Sequence, residues 1–381
     1  MKISDIAEVI NETVKEPSKS GIDVFVGLEH YDIAEPVIKR FGSTQMLSTA
    51  AKVFKKGDVL IARRNVYLQR AAMAPFSGLT SGDSIVLRVK DNFDTKETDY
   101  ETMSKLLPFI LNSIDFWDYA NTNADGTMSK RLSPALLLDY EFDLPSIEEQ
   151  KLRAEKLWAA YEVKQSYLKM IKATQEMVQS QFIEMFGHSD QTKPLSDFIE
   201  VSFPGEWGQE DKNGDGVKVI RTTNFTNTGK LDLSDVVTRD IDAAKVEKKK
   251  LKKGDIILER SGGTNDNPVG RVVYYDEEGT FLFNNFTQLL RCKEGVNSIF
   301  LFYSLFYYYW TNKSAIRSMG NKTTGIQNLK MDRYWQIPIS DVPLESQEEF
   351  ESIYNQADKS EFELRKSIDA IDAVIKSLIN S

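Results

Sequence analysis

The chain has 381 residues, 41% hydrophobic and 28% charged, with a net charge of −9; this predicts at least two domains with real cores. A single cysteine, Cys292, excludes an internal disulfide and a multi-cysteine zinc site, and two histidines 158 positions apart, His30 and His188, argue against a His-based metal site or catalytic triad. The start, MKISDIAEVINETVKEPSKSGI, lacks a basic segment followed by an apolar one, and no run reaches the roughly 18 apolar residues of a membrane span, so a soluble, cytoplasmic protein is expected.

The first module, residues 1–144, opens on Ile3-Ser-Asp-Ile-Ala-Glu-Val9. It continues to Phe54-Lys-Lys-Gly-Asp-Val-Leu-Ile-Ala-Arg63, in which Gly57-Asp58 is a turn pair before a short aliphatic strand. A long helix follows in residues 145–187. Pro145 and Ser146 start it, Glu148 and Glu149 suit its positive end, and Gly187 stops it. Its apolar residues alternate at three and four: Ile147, Ala154, Leu157, Tyr161, Leu168, Ile171, Val178, Phe182 and Met185. Spacing sustained near 3.5 residues is the coiled-coil pattern.

The second module, residues 188–343, repeats the first. Leu195-Ser-Asp-Phe-Ile-Glu-Val201 answers the opening at an offset of 192, and Leu251-Lys-Lys-Gly-Asp-Ile-Ile-Leu-Glu-Arg260 answers the Gly-Asp strand at 197. Val86-Leu-Arg88 returns as Leu289-Leu-Arg291, and Glu148-Glu-Gln150 as Glu345-Ser-Gln347. Four matches in one order mark a duplicated module rather than a solenoid unit. Val217–Ile220, Arg271–Tyr275 and Phe281–Phe283 are strand candidates. In the aromatic stretch Ile299–Trp310, Phe302, Leu305, Phe306 and Tyr309 fall at helical spacing and read as a buried helix. The last segment, 344–381, is a second long helix whose seam includes Phe350, Ile353, Ala357, Leu364, Ile371, Val374 and Leu378. The fold class is therefore α+β: two tandem β-rich modules, each followed by a long helix.

Catalytic signatures are absent from the sequence: there is no P-loop, no dinucleotide fingerprint, no Cys-x-x-Cys and no nucleophile elbow. Asp211-Lys-Asn213-Gly-Asp215-Gly216 fits the first half of a calcium loop, but Thr222 stands where the bidentate Glu belongs, so it reads as a polar turn. No cofactor or metal is implied. What recurs instead is a set of polar loops. Arg63-Arg64-Asn65 follows the first Gly-Asp strand, and Arg260-Ser-Gly-Gly-Thr264-Asn265 follows the second. A second pair carries Lys130 and Arg131 in one module, and Lys322, Gln327 and Asn328 in the other. Arg suits guanine and Gln or Asn suits adenine in major-groove readout, whereas any one such residue is as simply a solvated loop. The acidic balance makes a tight DNA binder acting alone less expected. It is uneven, however: residues 344–381 hold 4 basic against 9 acidic side chains, more than half of the deficit.

In this order of motifs the chain resembles the specificity subunit of type I restriction–modification enzymes. Gly205-Glu-Trp-Gly208 and Thr324-Gly-Ile-Gln327 also look like segments of that family's target recognition domains. The resemblance implies a non-catalytic subunit whose two domains each read half of a bipartite DNA target. It implies that the two helices pair as an antiparallel coiled coil with pseudo-two-fold symmetry, through Leu157, Tyr161, Leu168, Ile171, Val178 and Phe182 of one and Ile353, Leu364, Ile371 and Leu378 of the other. Its implied partners are double-stranded DNA, two DNA methyltransferase subunits and, through these, restriction subunits, with no membrane. Helix 147–185 would span about 58 Å, enough to separate half-sites whose centres lie about 34–36 Å apart. Two alternatives stay open: the recognition subunit of a two-protein type II enzyme, and a coiled-coil protein scaffold that never touches DNA.

Overall fold

The computed structural model describes residues 1–93, 96–127, 129–264, 266–323 and 326–380, the side chains of Met46, Lys322 and Thr323 aside. The chain divides into two compact units, Met1–Lys169 with Leu364–Ser381, and Met170–Glu363. Among the described residues no helix is long and apolar enough to cross a membrane.

In the first unit Ala7–Ile10, Ser84–Val89, Val59–Ala62 and Ala71–Met73 lie side by side in that order, all antiparallel. Val59, Leu60, Ile61 and Ala62 are all buried, as the unbroken apolar run requires of a strand covered on both faces. Asp58, at the turn before this strand, is buried and accepts two 2.7 Å hydrogen bonds from the Arg88 guanidinium on the neighbouring strand. A third comes from the backbone N–H of Lys55. A second sheet holds Val24–Val26 parallel to Gly78–Thr80, which also pairs with Ala51–Phe54.

The second unit repeats this plan. Ile199–Val201, Thr287–Cys292, Ile256–Glu259 and Val272–Tyr274 lie in the equivalent order, again antiparallel. Asp255 is buried under Arg291 at 2.7 Å to each oxygen and accepts the Lys252 N–H. Val217–Ile220 runs parallel to Phe281–Phe283, both as expected from the sequence. The aromatic stretch is the helix Ser298–Thr311, with Phe302, Leu305 and Tyr309 buried in the main core.

The units differ ahead of the Gly-Asp turn. Ala51-Lys-Val-Phe54 is a strand, whereas Ala243-Ala-Lys-Val-Glu-Lys-Lys249 is a helix. Asp242 caps the helix, its carboxylate accepting from the N–H groups of Ala244 and Lys245, and Lys248 and Lys249 sit at its negative end.

The central helix runs Ile147–Phe186 and the C-terminal helix Leu344–Ile379. Near the start of each, a buried Gln reaches back to a carbonyl five residues earlier, Gln150 to Pro145 and Gln347 to Val342. In the first unit Ala154, Leu157 and Trp158 pack with Ile375, Leu378 and Ile379, and Lys164 binds Asp372 at 2.6 Å. In the second unit Phe182 and Phe186 meet Phe350 with ring centroids 5.2 and 5.8 Å apart, and Gln175 donates to Glu361. Within each unit the two segments therefore run in opposite directions. Tyr161, Ile171 and Val178 are buried as expected, and Ile353, Leu364, Ile371 and Leu378 are partly buried.

Two seam residues do not fit the expectation. Leu168 is 38% exposed and Val374 51% exposed. In the C-terminal helix the buried positions include Gln347, Glu361 and Ile368, so polar residues hold part of the stripe and Val374 falls on the solvent side.

Candidate nucleic-acid interface

In the first unit the two predicted loops meet. The Leu132 N–H donates to the Arg63 carbonyl at 2.9 Å, the Asn65 N–H to the Lys130 carbonyl at 2.9 Å, and Arg64 bridges to Arg131. Arg64 and Arg131 both reach one carboxylate, Asp83, at 2.8 and 2.9 Å. Arg63 joins through its own backbone N–H, which donates to the Asp83 carbonyl at 3.0 Å. Lys52 lies beside them, its ammonium on the Ser84 carbonyl at 2.8 Å. Burial lowers the Lys52 pKa, the Arg63 charge lowers it further, and Asp83 opposes both. This group carries four cations against the single Asp83 carboxylate, so it keeps a positive character that suits phosphate or a base edge.

One predicted cation is placed elsewhere. Lys130 contributes its carbonyl to the loop contact, but its ammonium turns to the Asn121 carbonyl near the end of helix Ile114–Asn123. A helix C-terminus attracts cations, which accounts for the choice.

The loop between Arg63 and Arg70 contains residues that sequence reasoning passed over. Asn65 and Gln69 both have left-handed backbones, with φ of 55° and 50°. Asn tolerates this conformation, but Gln seldom adopts it. Tyr67 between them is 61% exposed. Arg70 pins the loop from below, donating to the carbonyls of Leu28 and Arg64 at 3.0 Å each. Burial lowers its pKa, with Tyr31 and Tyr67 acting in the opposite direction.

The second unit forms the equivalent junction with different chemistry. The Leu329 N–H donates to the Arg260 carbonyl at 2.8 Å, and Ser261 and Gly262 pair with Asn328 and Gln327 as short antiparallel strands. The Ser261 hydroxyl donates to the Asn328 amide oxygen at 2.7 Å. Arg260 holds Gln288 at 3.4 Å, and Gln288 in turn donates to Ser202. Gly262 and Gly263 have φ of 116° and 63°, a backbone that side chains other than Gly resist. Thr264 closes its own turn, accepting the Asn267 N–H on its hydroxyl at 3.0 Å. Asn265 lies outside the described residues, as does the side chain of Lys322. Glu259, buried before the loop, pairs with Arg271 at 2.7 Å. Burial tends to lower the Arg271 pKa, but Glu259 outweighs it and the net direction is upward. At the matching place of the first unit stand Ala62 and Arg70, without a carboxylate.

Beside this junction runs the segment Pro204–Gly208. Lys249 holds the carbonyl of Pro204 and the carboxylate of Glu206, at 3.2 and 3.1 Å, and Arg239 stacks on Trp207 at 4.4 Å. The Lys249 ammonium lowers the Glu206 pKa. The Asp211 carboxylate accepts the N–H groups of Gly214 and Gly216, which makes that segment a turn. Among the described residues no group of three His, Cys, Asp or Glu side chains could hold a metal.

Residues 190–371 match the model of the type I restriction modification DNA specificity domain. This part of the chain, just under half of it, is similar to a specificity domain of that family. The family is one of DNA recognition and is generally non-catalytic. Solved structures extend the likeness of fold over the whole chain. The type I restriction–modification S subunit from M. genitalium is 13% identical, covered over 94% of its length and all of this chain, with a TM-score of 0.59. A chain from work on complex assembly and conformational transition of the type I R-M system is 16% identical, covered over 95% and 100%, with a TM-score of 0.53. No curated protein matches. Within the matched stretch lie the Arg260 loop, the Gln327–Asn328 strand and the buried Asp255–Arg291 pair.

Proposed function

We propose that the chain is the specificity subunit of a type I restriction–modification complex, a non-catalytic reader of a bipartite duplex. Residues 1–144 and 188–343 each read one half. Residues 145–187 and 344–381 form one antiparallel coil between them, related by a pseudo-two-fold. Two methyltransferase subunits dock on this scaffold, and restriction subunits join through them. Arg63, Arg64, Asn65 and Arg131 serve one half-site, and Arg260, Thr264, Asn265, Lys322, Gln327 and Asn328 the other, with Lys130 as a backbone support.

The observation that carries this reading is the matched junction. Arg63 and Arg260 occupy the same backbone position, each carbonyl accepting from a Leu N–H, while the side chains around them differ between units. A constant frame with variable polar tips is what two readers of different half-sites require. A protein scaffold would have no need of the concentrated guanidinium groups at Asp83. The test is binding of the chain with its methyltransferase to a duplex carrying both half-sites, one, or neither, across a salt series. Affinity should fall with salt as phosphate contacts release counterions, and should need both halves for full strength. Equal affinity for all three duplexes would reject the reading.

A further inference from the structure

Phe286 is 41% exposed beside Arg260, and no buried apolar cluster of the described residues includes it. Its place in the fold is that of Asp83. The Ser84 N–H donates to the Ser81 carbonyl at 2.9 Å, and the Thr287 N–H to the Asn284 carbonyl at 3.0 Å, so the two turns are alike. The third residue of each accepts the N–H of the loop arginine: Asp83 from Arg63 at 3.0 Å, Phe286 from Arg260 at 2.8 Å.

Around these two positions the side chains change as a set. In the first unit Asp83 holds Arg64 and Arg131. In the second the residues paired at those places, Ser261 and Asn328, are neutral and bond each other. With the guanidinium groups gone, no carboxylate is needed at the turn. A polar residue would suffice there, yet the position presents an aromatic ring to solvent amid polar loops. The edges of DNA bases in the major groove offer one apolar group, the thymine C5-methyl, and Phe is among the side chains that contact it.

We propose that Phe286 reads the methyl group of a thymine in the half-site taken by the second unit. This rests on the reading of the chain as a DNA reader. The test uses the chain assembled with its methyltransferase, on duplexes of the target found by methylation mapping, with each thymine replaced in turn by uracil. One replacement, in one half only, should weaken wild-type binding about fourfold, the value of one buried methyl group. Phe286→Ala should bind the thymine and uracil duplexes alike while melting at the wild-type temperature. Sequence-specific binding that ignores every uracil, a half-site without thymine, or an unchanged thymine preference in Phe286→Ala would overturn the proposal and leave the DNA-reading account standing. Absence of any sequence preference in the wild-type complex would remove both.

Discussion

Arg291 clasps Asp255 with two parallel 2.7 Å hydrogen bonds, from Nε and Nη2 to the two carboxylate oxygens. Asp255 is buried, and this partner and the Lys252 N–H supply the hydrogen bonds that water cannot. The carboxylate raises the Arg291 pKa, with burial opposing. Arg88 and Asp58 repeat the arrangement in the first unit. The duplicated Lys-Lys-Gly-Asp and Leu-Arg words therefore encode a strap between adjacent strands, at the end of the strand opposite the arginine loop.

Arg291→Ala should destabilise the chain by about 3–5 kcal/mol, because it strands a buried carboxylate. Lys253→Ala removes a pair whose Glu278 is open to water and should leave stability nearly unchanged. Urea denaturation followed by circular dichroism measures both. Equal, small losses would mean that the strap is not what fixes the strands.

Phe182→Ala should cost about 3–5 kcal/mol, since the ring is buried against Phe350, Tyr303 and Phe186. Leu168→Ala, on the same seam by spacing alone, should cost well under that because its side chain already meets solvent. Thermal unfolding separates the two; a large loss at Leu168 would show that it is covered in solution.

Asp99 caps the helix Tyr100–Ile110, accepting the Thr102 N–H at 2.8 Å and pairing with Lys151 at 3.0 Å. The Thr102 backbone bond leads in lowering its pKa from 3.8 to about 2. A folded value below the unfolded one stabilises above the unfolded pKa, and that stability is lost as pH falls through the folded value. Asp99→Ala should cost about 1 kcal/mol near neutral pH. The gap from wild type should close between about pH 4 and pH 2. A gap that stays constant across that range would show that the carboxylate charge plays no part.

Asp83→Asn should loosen Arg64 and Arg131 together. Binding to unrelated duplexes by the assembled complex should strengthen, while discrimination in the half read by the first unit should fall by about 1–3 kcal/mol. Competition assays at one salt concentration measure both; unchanged discrimination would separate Asp83 from readout.

The duplication, the long helices and the loop pairs were legible because each is a local pattern or a repeated word. The position of Asp83 and Phe286 was not, since their role comes from a turn that reaches the arginine loop through backbone hydrogen bonds, at an offset different from that of the loops themselves. Lys130 looked like a reading cation from its place in a polar loop, but a nearby helix end takes its ammonium. The seam of the C-terminal helix was blurred by Glu361, a charged residue that is buried where a periodic reading looks for an apolar one.

The division of recognition between the two units is tested most directly by exchanging residues 1–144 for those of a relative with a different target. Methylated positions would then be mapped in cells that also supply the methyltransferase. One half of the bipartite target should change to that of the donor while the other half stays as it was. Alteration of both halves, or of neither, would contradict a chain that reads DNA as two separate modules.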